Sequence, residues 1–232
     1  MHILFTRPLE DCHEMILKFQ SLGHEISHLP LINIEGLKHE APNYSEFKGI
    51  IFTSNNAIKF LDIKSIDKKL KCFCVGNATE KRARSVGFQN IFSAEGNVSN
   101  LKELILQNFN SSEGKLLYVS GEIISNDLDK ELILSGYMIE RLINYRAKSI
   151  EKYDEGFIEK LKLKMPEITY IYSQNSAINF LKVIKNYQLE PLWMNTNLMC
   201  IGEKTYSILN EIKWKKIFLF NPGEEEFLLY KI

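Results

Sequence analysis

An internal duplication is the feature that most constrains the fold of this chain. Residues 50–61 read IIFTSNNAIKFL and residues 169–181 read TYIYSQNSAINFL. Further on, KCFCVGNAT aligns with NLMCIGEKT. The aligned pairs include Thr53 with Ser173, Asn55 with Asn175, Gly76 with Gly202 and Thr79 with Thr205. A period above 100 residues is far too long for a solenoid, so the sequence predicts two copies of one large unit.

The unit that repeats is predicted to be strand, helix, strand, strand, helix, strand, helix, strand. Its first helical patterns, in residues 9–23 and 127–136, end at Gly23 and Gly136, which are expected C′ positions. Short β-rich runs alternate with helices of ordinary length. This alternation predicts an α/β fold of parallel sheets with helices on both faces.

Charge and composition exclude several classes of partner. The chain has 29 basic and 29 acidic residues and a formal net charge of zero, so bulk charge indicates neither a nucleic acid nor an anionic membrane as a partner. The four cysteines form no CxxC pair, so we expect reduced, structural thiols and no metal site. The N-terminus does not read as a signal peptide, which predicts a cytoplasmic protein.

Hydroxyl and glycine residues follow the apolar strands at matching places in both copies. Thr53 and Ser54 end one strand and Ser173 ends its counterpart, while Gly76 and Gly202 open the next helices. Free amides at a helix N-terminus, with hydroxyl donors beside them, form a seat for an anion. In open α/β sheets the ligand crevice lies at the carboxyl ends of the strands. Taken singly, each of these residues is also an ordinary helix cap.

The order of these segments resembles the uroporphyrinogen-III synthase family over nearly the whole chain. The segments that carry the resemblance are FTRP, GHEISHLPLINIE, IIFTSNNAI, CVGNATEKRARSVGF, LLYVSGE, GYMIERLINY, YSQNSAINFL and CIGEKTYSIL. Two features depart from the family pattern. Asn55 and Asn56 stand where the family often has proline and a basic residue, and the tail after Phe220 is short.

The resemblance implies two α/β domains, each a parallel sheet flanked by helices, joined by a two-stranded β connector. The first domain would contain residues 1–32 and 148–232, and the second residues 37–140. The connector strands would be residues 33–36 and 141–147, which lie in the two segments that share the tripeptide Leu-Ile-Asn.

The resemblance also implies an activity. The substrate would be hydroxymethylbilane, a linear tetrapyrrole with eight carboxylates, and the product uroporphyrinogen III. Loss of hydroxyl gives an azafulvene cation, attack at the substituted carbon of the last pyrrole gives a spiro intermediate, and reclosure inverts that ring. The reaction needs no cofactor and no metal. We expect a monomer that contacts hydroxymethylbilane synthase transiently and binds neither nucleic acid nor membrane.

Site residues follow from the same resemblance. Tyr145 corresponds to a family tyrosine proposed to protonate the leaving hydroxyl, although a tyrosine in a strand is also a common packing residue. Arg7 would pair with a substrate carboxylate or bridge the domains, and Lys204 is either a carboxylate contact or a solvated lysine. The remaining expected substrate contacts are Thr53, Ser54, Thr79, Ser120, Gly121, Ser173, Gly202 and Thr205.

Two other classes of protein stay open at this point. A flavodoxin-like or nucleotide-binding enzyme has the same α/β pattern, but the chain has neither a GxGxxG nor a Walker motif. A two-lobed binding protein of the periplasmic type would need an export signal, which the sequence does not indicate.

Overall fold

The structure, a computed structural model, describes residues 1–95, 97–221 and 223–231. Within these residues the chain forms eleven β-strands and nine α-helices. The strands are β1 (His2–Phe5), β2 (Glu25–His28), β3 (Ile32–Gly36), β4 (Phe47–Phe52), β5 (Lys71–Val75), β6 (Asn90–Ala94), β7 (Lys115–Gly121), β8 (Met138–Ser149), β9 (Ile168–Ile171), β10 (Asn197–Cys200) and β11 (Lys216–Leu219). The helices are α1 (Leu9–Ser21), α2 (Asn55–Lys59), α3 (Gly76–Ser85), α4 (Val98–Asn108), α5 (Leu128–Leu134), α6 (Glu155–Leu163), α7 (Gln174–Asn186), α8 (Gly202–Leu209) and α9 (Glu225–Leu228). Short 3-10 turns occupy Tyr44–Glu46, Ile63–Ser65, Ser111–Glu113, Glu190–Asn195 and Leu229–Lys231.

The chain divides into two compact units. The first contains Met1–Asn33 and Lys148–Ile232, and the second contains Ile34–Ala147. The chain therefore leaves the first unit within β3 and returns to it within β8. The limits given above for two independently folding domains remain a prediction.

The first unit is built on a five-stranded sheet in the order β11-β10-β9-β1-β2, and its strand pairs are parallel. Its three central strands, β1, β9 and β10, are buried on both faces. In β1, Leu4 packs into one apolar cluster with α6, α7 and α8, while Ile3 and Phe5 pack into another with α1. Helices on both faces explain why these strands read as uninterrupted apolar runs.

The second unit is built on a six-stranded sheet in the order β3-β8-β7-β4-β5-β6. Its β8–β7, β7–β4, β4–β5 and β5–β6 pairs are parallel. Here too the strands alternate between two cores, since Ile50 and Phe52 pack on one side of β4 and Ile51 on the other. The predicted fold class, parallel sheets flanked by helices, is confirmed.

The connector strands belong to the second sheet. The strand β3 neighbours β8 at its edge, and β8 pairs with β7 from Met138 to Tyr145. Residues 141–145 are thus integrated in the sheet, and a separate two-stranded connector is not confirmed.

The structure has three helices that the predicted repeat lacks, which are α4, α6 and the four-residue α9. The first two carry clear local signals. The side chain of Asn97 accepts bonds from the first amides of α4, and Asp154 accepts one from Phe157 N in α6. Each helix buries an apolar pair, which in α6 is Ile158 and Leu161. Both are encoded locally, but the other copy has only a four-residue helix, α9, in the place of α4 and the 3-10 turn Tyr44–Glu46 in the place of α6. A comparison of the two copies therefore does not reveal them.

A second departure concerns the aligned segments HEISHLPLINIE and YMIERLINYRAK. The first contains Pro30 and forms two short strands, β2 and β3, whereas the second has no proline and forms the 12-residue strand β8. Proline has no N–H to donate to a ladder. It therefore marks where the first copy leaves one sheet before it enters the other.

Both predicted C′ glycines are confirmed. Gly23 and Gly136 have φ of 81° and 86°. The Gly136 amide donates to Ile133 O at 2.9 Å and the Tyr137 amide donates to Leu132 O at 3.0 Å, the paired bonds of a Schellman motif.

We expect Gly136→Ala to destabilise the protein by about 1 kcal/mol, because an L-residue is strained at positive φ. A Cβ at this position meets nothing within 4 Å, so the backbone alone is tested. Urea unfolding measures the change. Gly136→Asn at the same position is the matched control, because asparagine adopts the left-handed region at a lower cost than alanine. Equal destabilisation by both substitutions would contradict this account of Gly136.

Candidate active site

Three predicted residues of the first unit lie at one edge of its sheet. Arg7 follows β1, Ser173 follows β9 and Gly202 follows β10, and these three strands are neighbours. Because the strands are parallel, their carboxyl ends meet at the same edge.

The second unit repeats this arrangement with more residues. Thr53 and Ser54 follow β4, Ser120 and Gly121 end β7, and Tyr145 lies on β8. The strands β8, β7 and β4 are consecutive in the sheet, with β5 next to them. The structure therefore brings the predicted residues of this unit to one edge.

Serines cap the aligned helices α2 and α7, as predicted. Ser54 Oγ accepts a bond from Asn56 N at 3.2 Å. Ser173 Oγ accepts one from Ser176 N at 3.1 Å and donates to Ser176 Oγ at 2.9 Å. Asn55, the first departure from the family pattern, is the first residue of α2, a position where proline is also favoured. The departure therefore leaves the start of the helix intact.

Glycines open the other aligned pair of helices. Gly76 and Gly202 have φ of 78° and 73°, and a Cβ on either would meet nothing within 4 Å. Among the residues that the structure describes, no side chain caps α3 or α8 at its first turn. The first amides of both helices are therefore open to an acceptor from outside the helix.

The threonines of these turns lie deeper than the sequence indicates. Thr79 is 4% exposed and Thr205 is 2% exposed. Their predicted contacts with a carboxylate are not tested and stay predictions. The neighbouring Lys204 is exposed, in agreement with the alternative of a solvated lysine.

Arg7 has two partners inside its own unit. Its guanidinium lies 3.7 Å from the Asp11 carboxylate and 4.7 Å from the centre of the Tyr172 ring. Burial raises the pKa of Tyr172 well above its usual value, so its phenol stays neutral beside the cation. Both partners hold Arg7 at the edge of the sheet, and its predicted contact with substrate stays a prediction.

A cavity of about 160 Å³ opens at the edge of the second sheet. It is lined by Thr53, Ser54, Tyr118, Tyr145, Val98 and residues 123–126. Three residues predicted for the site thus share one cavity. Its lining combines hydroxyl groups with apolar side chains, which suits a flat ring that carries polar substituents.

Tyr145 is half-buried and lies against the end of β7. An ideal Cβ on Gly121 would lie 2.8 Å from Tyr145 Cζ and 3.1 Å from its phenol oxygen. The Glu122 amide donates to Tyr145 O at 2.9 Å. Phe60 adds a stacked ring at 6.5 Å between centroids. Only glycine allows the phenol to approach β7 so closely at this point.

Ser120 has a different environment from the one expected. It is 1% exposed, and its hydroxyl accepts a bond from Arg141 Nε at 2.8 Å. A ligand would have to compete with this buried bond.

Sequence reasoning missed two residues at this edge, Tyr118 and Arg141. Tyr118 Oη lies 3.2 Å from Thr53 Oγ1, and burial raises the pKa of Tyr118, so its phenol is neutral. Tyr118 lies two residues before Ser120, and that spacing is a signal of a shared sheet face, although many packing residues also have it. Arg141 lies four residues before Tyr145, but a bulge in β8 places the two side chains on opposite faces, so the spacing gives no signal for Arg141.

Thiols and candidate metal ligands take no part in this edge. All four cysteines are buried and unpaired, and burial raises the pKa of Cys12 and Cys200 to about 11. In the part of the chain that the structure describes, no group of three His, Cys, Asp or Glu side chains is placed to bind a metal. Among those residues, no helix has both the length and the apolar character that a membrane span requires.

Comparison with solved structures identifies several proteins of similar fold, including the following two. A uroporphyrinogen-III synthetase from Helicobacter pylori is 20% identical, with a TM-score of 0.67 over 100% of this chain and 99% of that one. A mutant uroporphyrinogen III synthase from Thermus thermophilus is 14% identical, with a TM-score of 0.58 over 100% and 97%. At these identities the likeness shows the fold alone. A search of curated proteins gives no match.

A comparison with family models covers most of the sequence. The model described as uroporphyrinogen-III synthase HemD matches residues 13–219. The match includes most of both copies of the duplicated unit and the segments that contain Ser54, Gly121, Tyr145 and Ser173. The chain therefore belongs to the uroporphyrinogen-III synthase family.

Proposed function

We propose that this chain cyclises hydroxymethylbilane to uroporphyrinogen III and that Tyr145 assists departure of the hydroxyl group. The family match over residues 13–219 carries the activity. The role of Tyr145 is supported by its position in one cavity with Thr53 and Ser54.

The reaction consumes and returns protons in a definite order. The phenol of Tyr145 donates a proton to the hydroxyl group, the C–O bond breaks and water leaves, and the electrons of the pyrrole nitrogen stabilise the azafulvene cation. The substituted carbon of the last ring attacks this cation. The bond from the spiro carbon to the bridge of the preceding ring then breaks, which gives a second azafulvene cation. The free α-carbon of the last ring attacks that cation, which closes the macrocycle with that ring inverted. This carbon loses its proton, which restores the phenol of Tyr145. A phenol has a pKa of about 10, which is adequate for an acid whose leaving group becomes water.

Control of conformation matters as much as rate, because the bilane closes by itself to the uninverted isomer. The site has to hold the terminal ring close to the geometry of the spiro route. A small cavity with mixed apolar and hydroxyl lining suits one pyrrole ring with its acidic side chains. Thr53 is fixed in that lining by the Tyr118 phenol at 3.2 Å.

Carboxylate binding is distributed over many weak donors in this proposal. The open amides at Gly76 and Gly202 each offer a positive helix terminus. Contacts of this kind bind the substrate with moderate affinity. Very tight binding of the substrate would stabilise the bound ground state and slow turnover.

Compartment and assembly complete the proposal. We propose a cytoplasmic monomer that receives its substrate from hydroxymethylbilane synthase. The four buried, unpaired thiols agree with a reducing compartment. Size-exclusion chromatography with light scattering tests the monomer, and a stable dimer would overturn it.

The activity itself is tested with hydroxymethylbilane made chemically or enzymatically. The product is oxidised to porphyrin and the isomers are separated. We expect the inverted isomer in excess with the protein and the uninverted isomer without it. Equal isomer distributions in both samples would overturn the proposed function.

We expect Tyr145→Phe to lower kcat by about 100-fold, since general acid catalysis contributes roughly 10²–10⁴-fold and this leaving group departs readily. Dilute variant should form more uninverted isomer, because spontaneous closure competes, and added variant should restore inversion. Tyr137→Phe is the matched control. Its phenol donates to Phe109 O at 2.9 Å next to the start of β8, so it should lose stability and keep kcat. Wild-type kcat in a folded Tyr145→Phe protein would leave Tyr145 a packing role.

We expect Thr205→Ala to lower kcat/KM by about two- to tenfold, because one hydrogen bond of many contributes about 0.5–1.5 kcal/mol. Thr79→Ala should behave alike at the aligned position. Ser207→Ala is the control on the same helix, since its hydroxyl is exposed and donates to Lys204 O at 2.9 Å. Complete loss of activity in a folded Thr205→Ala protein would show one dominant contact in place of a distributed site.

A further inference from the structure

We propose that Arg141 is a positioning residue for Tyr145 and acts through the end of β7. This inference rests on the proposed role of Tyr145 as proton donor. Nothing in the resemblance or the sequence singles out Arg141.

The guanidinium of Arg141 donates hydrogen bonds to three consecutive residues. Two of them, Ser120 and Gly121, end β7, and Glu122 lies in the turn that follows. Its Nε donates to Ser120 Oγ at 2.8 Å, and its Nη2 donates to Gly121 O at 2.8 Å and to Glu122 O at 3.1 Å. Ser120 Oγ in turn donates to Gly121 O at 3.2 Å. A charged, forked donor is well suited to fix several acceptors at once.

Two of the residues that Arg141 binds, Gly121 and Glu122, also contact Tyr145. The Glu122 amide donates to the Tyr145 carbonyl at 2.9 Å, and the Gly121 α-carbon lies beneath the phenol ring. A shift of residues 121–122 would therefore move both the main chain and the ring of Tyr145.

A bulge in β8 separates the two side chains. Ser120 pairs with Ile143, but Gly121 pairs with Tyr145, which leaves Asn144 as the extra residue. The buried Asn144 anchors the bulge through Nδ2, which donates to Ala57 O at 2.7 Å. Because of the bulge, Tyr145 packs with Leu142 against the cluster under α2 and α3. Arg141 is on the opposite face of β8, so its influence passes through β7.

Loss of the Arg141 guanidinium is expected to lower the catalytic rate. Without the guanidinium, two strand-end carbonyls and a buried hydroxyl lose their common donor, and residues 120–122 are no longer fixed. A displacement of about 1 Å in a catalytic group can cost on the order of 100-fold in rate. Because the turn at residues 120–122 is loosened and not fully displaced, we expect a loss of rate smaller than 100-fold.

We expect Arg141→Gln to lower kcat by about tenfold with KM within about twofold, since positioning acts on the transition state more than on binding. Arg141→Lys, which keeps the charge but not the fork, should lose less. Arg84→Gln in α3 is the matched control, because Arg84 also donates through its Nε and Nη2, to Glu80 Oε1 at 2.9 and 2.7 Å. It should keep wild-type kcat.

The deciding measurement is a double-mutant cycle with Tyr145→Phe, read as kcat on folded protein. If Arg141 acts through Tyr145, Arg141→Gln should lower kcat by less than about twofold further in the Tyr145→Phe background. A full tenfold loss in that background overturns the inference, as does wild-type kcat or a raised KM alone in the single variant. Wild-type kcat in Tyr145→Phe would instead overturn the proposed role of Tyr145, so the two failures are distinguishable.

Discussion

Burial of both faces of the central strands of each sheet is the constraint on which the rest of this structure depends. When helices cover both faces, such a strand has no polar face, and its apolar residues alternate between two cores. Polar side chains then lie mainly at the strand ends and on strands near the sheet edges, such as β8. Thr53, Ser54 and Ser173 follow strand ends, and Tyr145 lies within β8 where it pairs with Gly121, the last residue of β7. The position of the site is thus a consequence of the packing of the sheets.

The arginines described at these two edges, Arg7 and Arg141, are paired with groups of the protein itself. Arg7 is held by Asp11 and the Tyr172 ring, and Arg141 is held by Ser120 and two carbonyl groups. With a net charge of zero, the chain has no general field to attract an anion. In the proposed function, helix termini and hydroxyl groups supply the contacts for carboxylates, which suits an enzyme that must release a product as acidic as its substrate.

Much of the fold and part of the site could be predicted from the sequence, because those features are encoded within a few residues. A glycine at positive φ ends α1 and α5, and a serine caps α2 and α7. The duplication revealed such signals by repeating them. It also hid α4 and α6, because neither has a similar helix in the other copy, although both carry their own cap and apolar face.

The sequence by itself determined the class of the fold, the helix ends and the family. The tertiary structure alone decided which side chains meet at the edge of the second sheet. The bond between Tyr118 and Thr53 spans 65 residues and that from Arg141 to Ser120 spans 21. The bulge at Asn144 reverses the face on which Tyr145 would otherwise lie. Strand register depends on contacts between distant segments, and no local pattern specifies it.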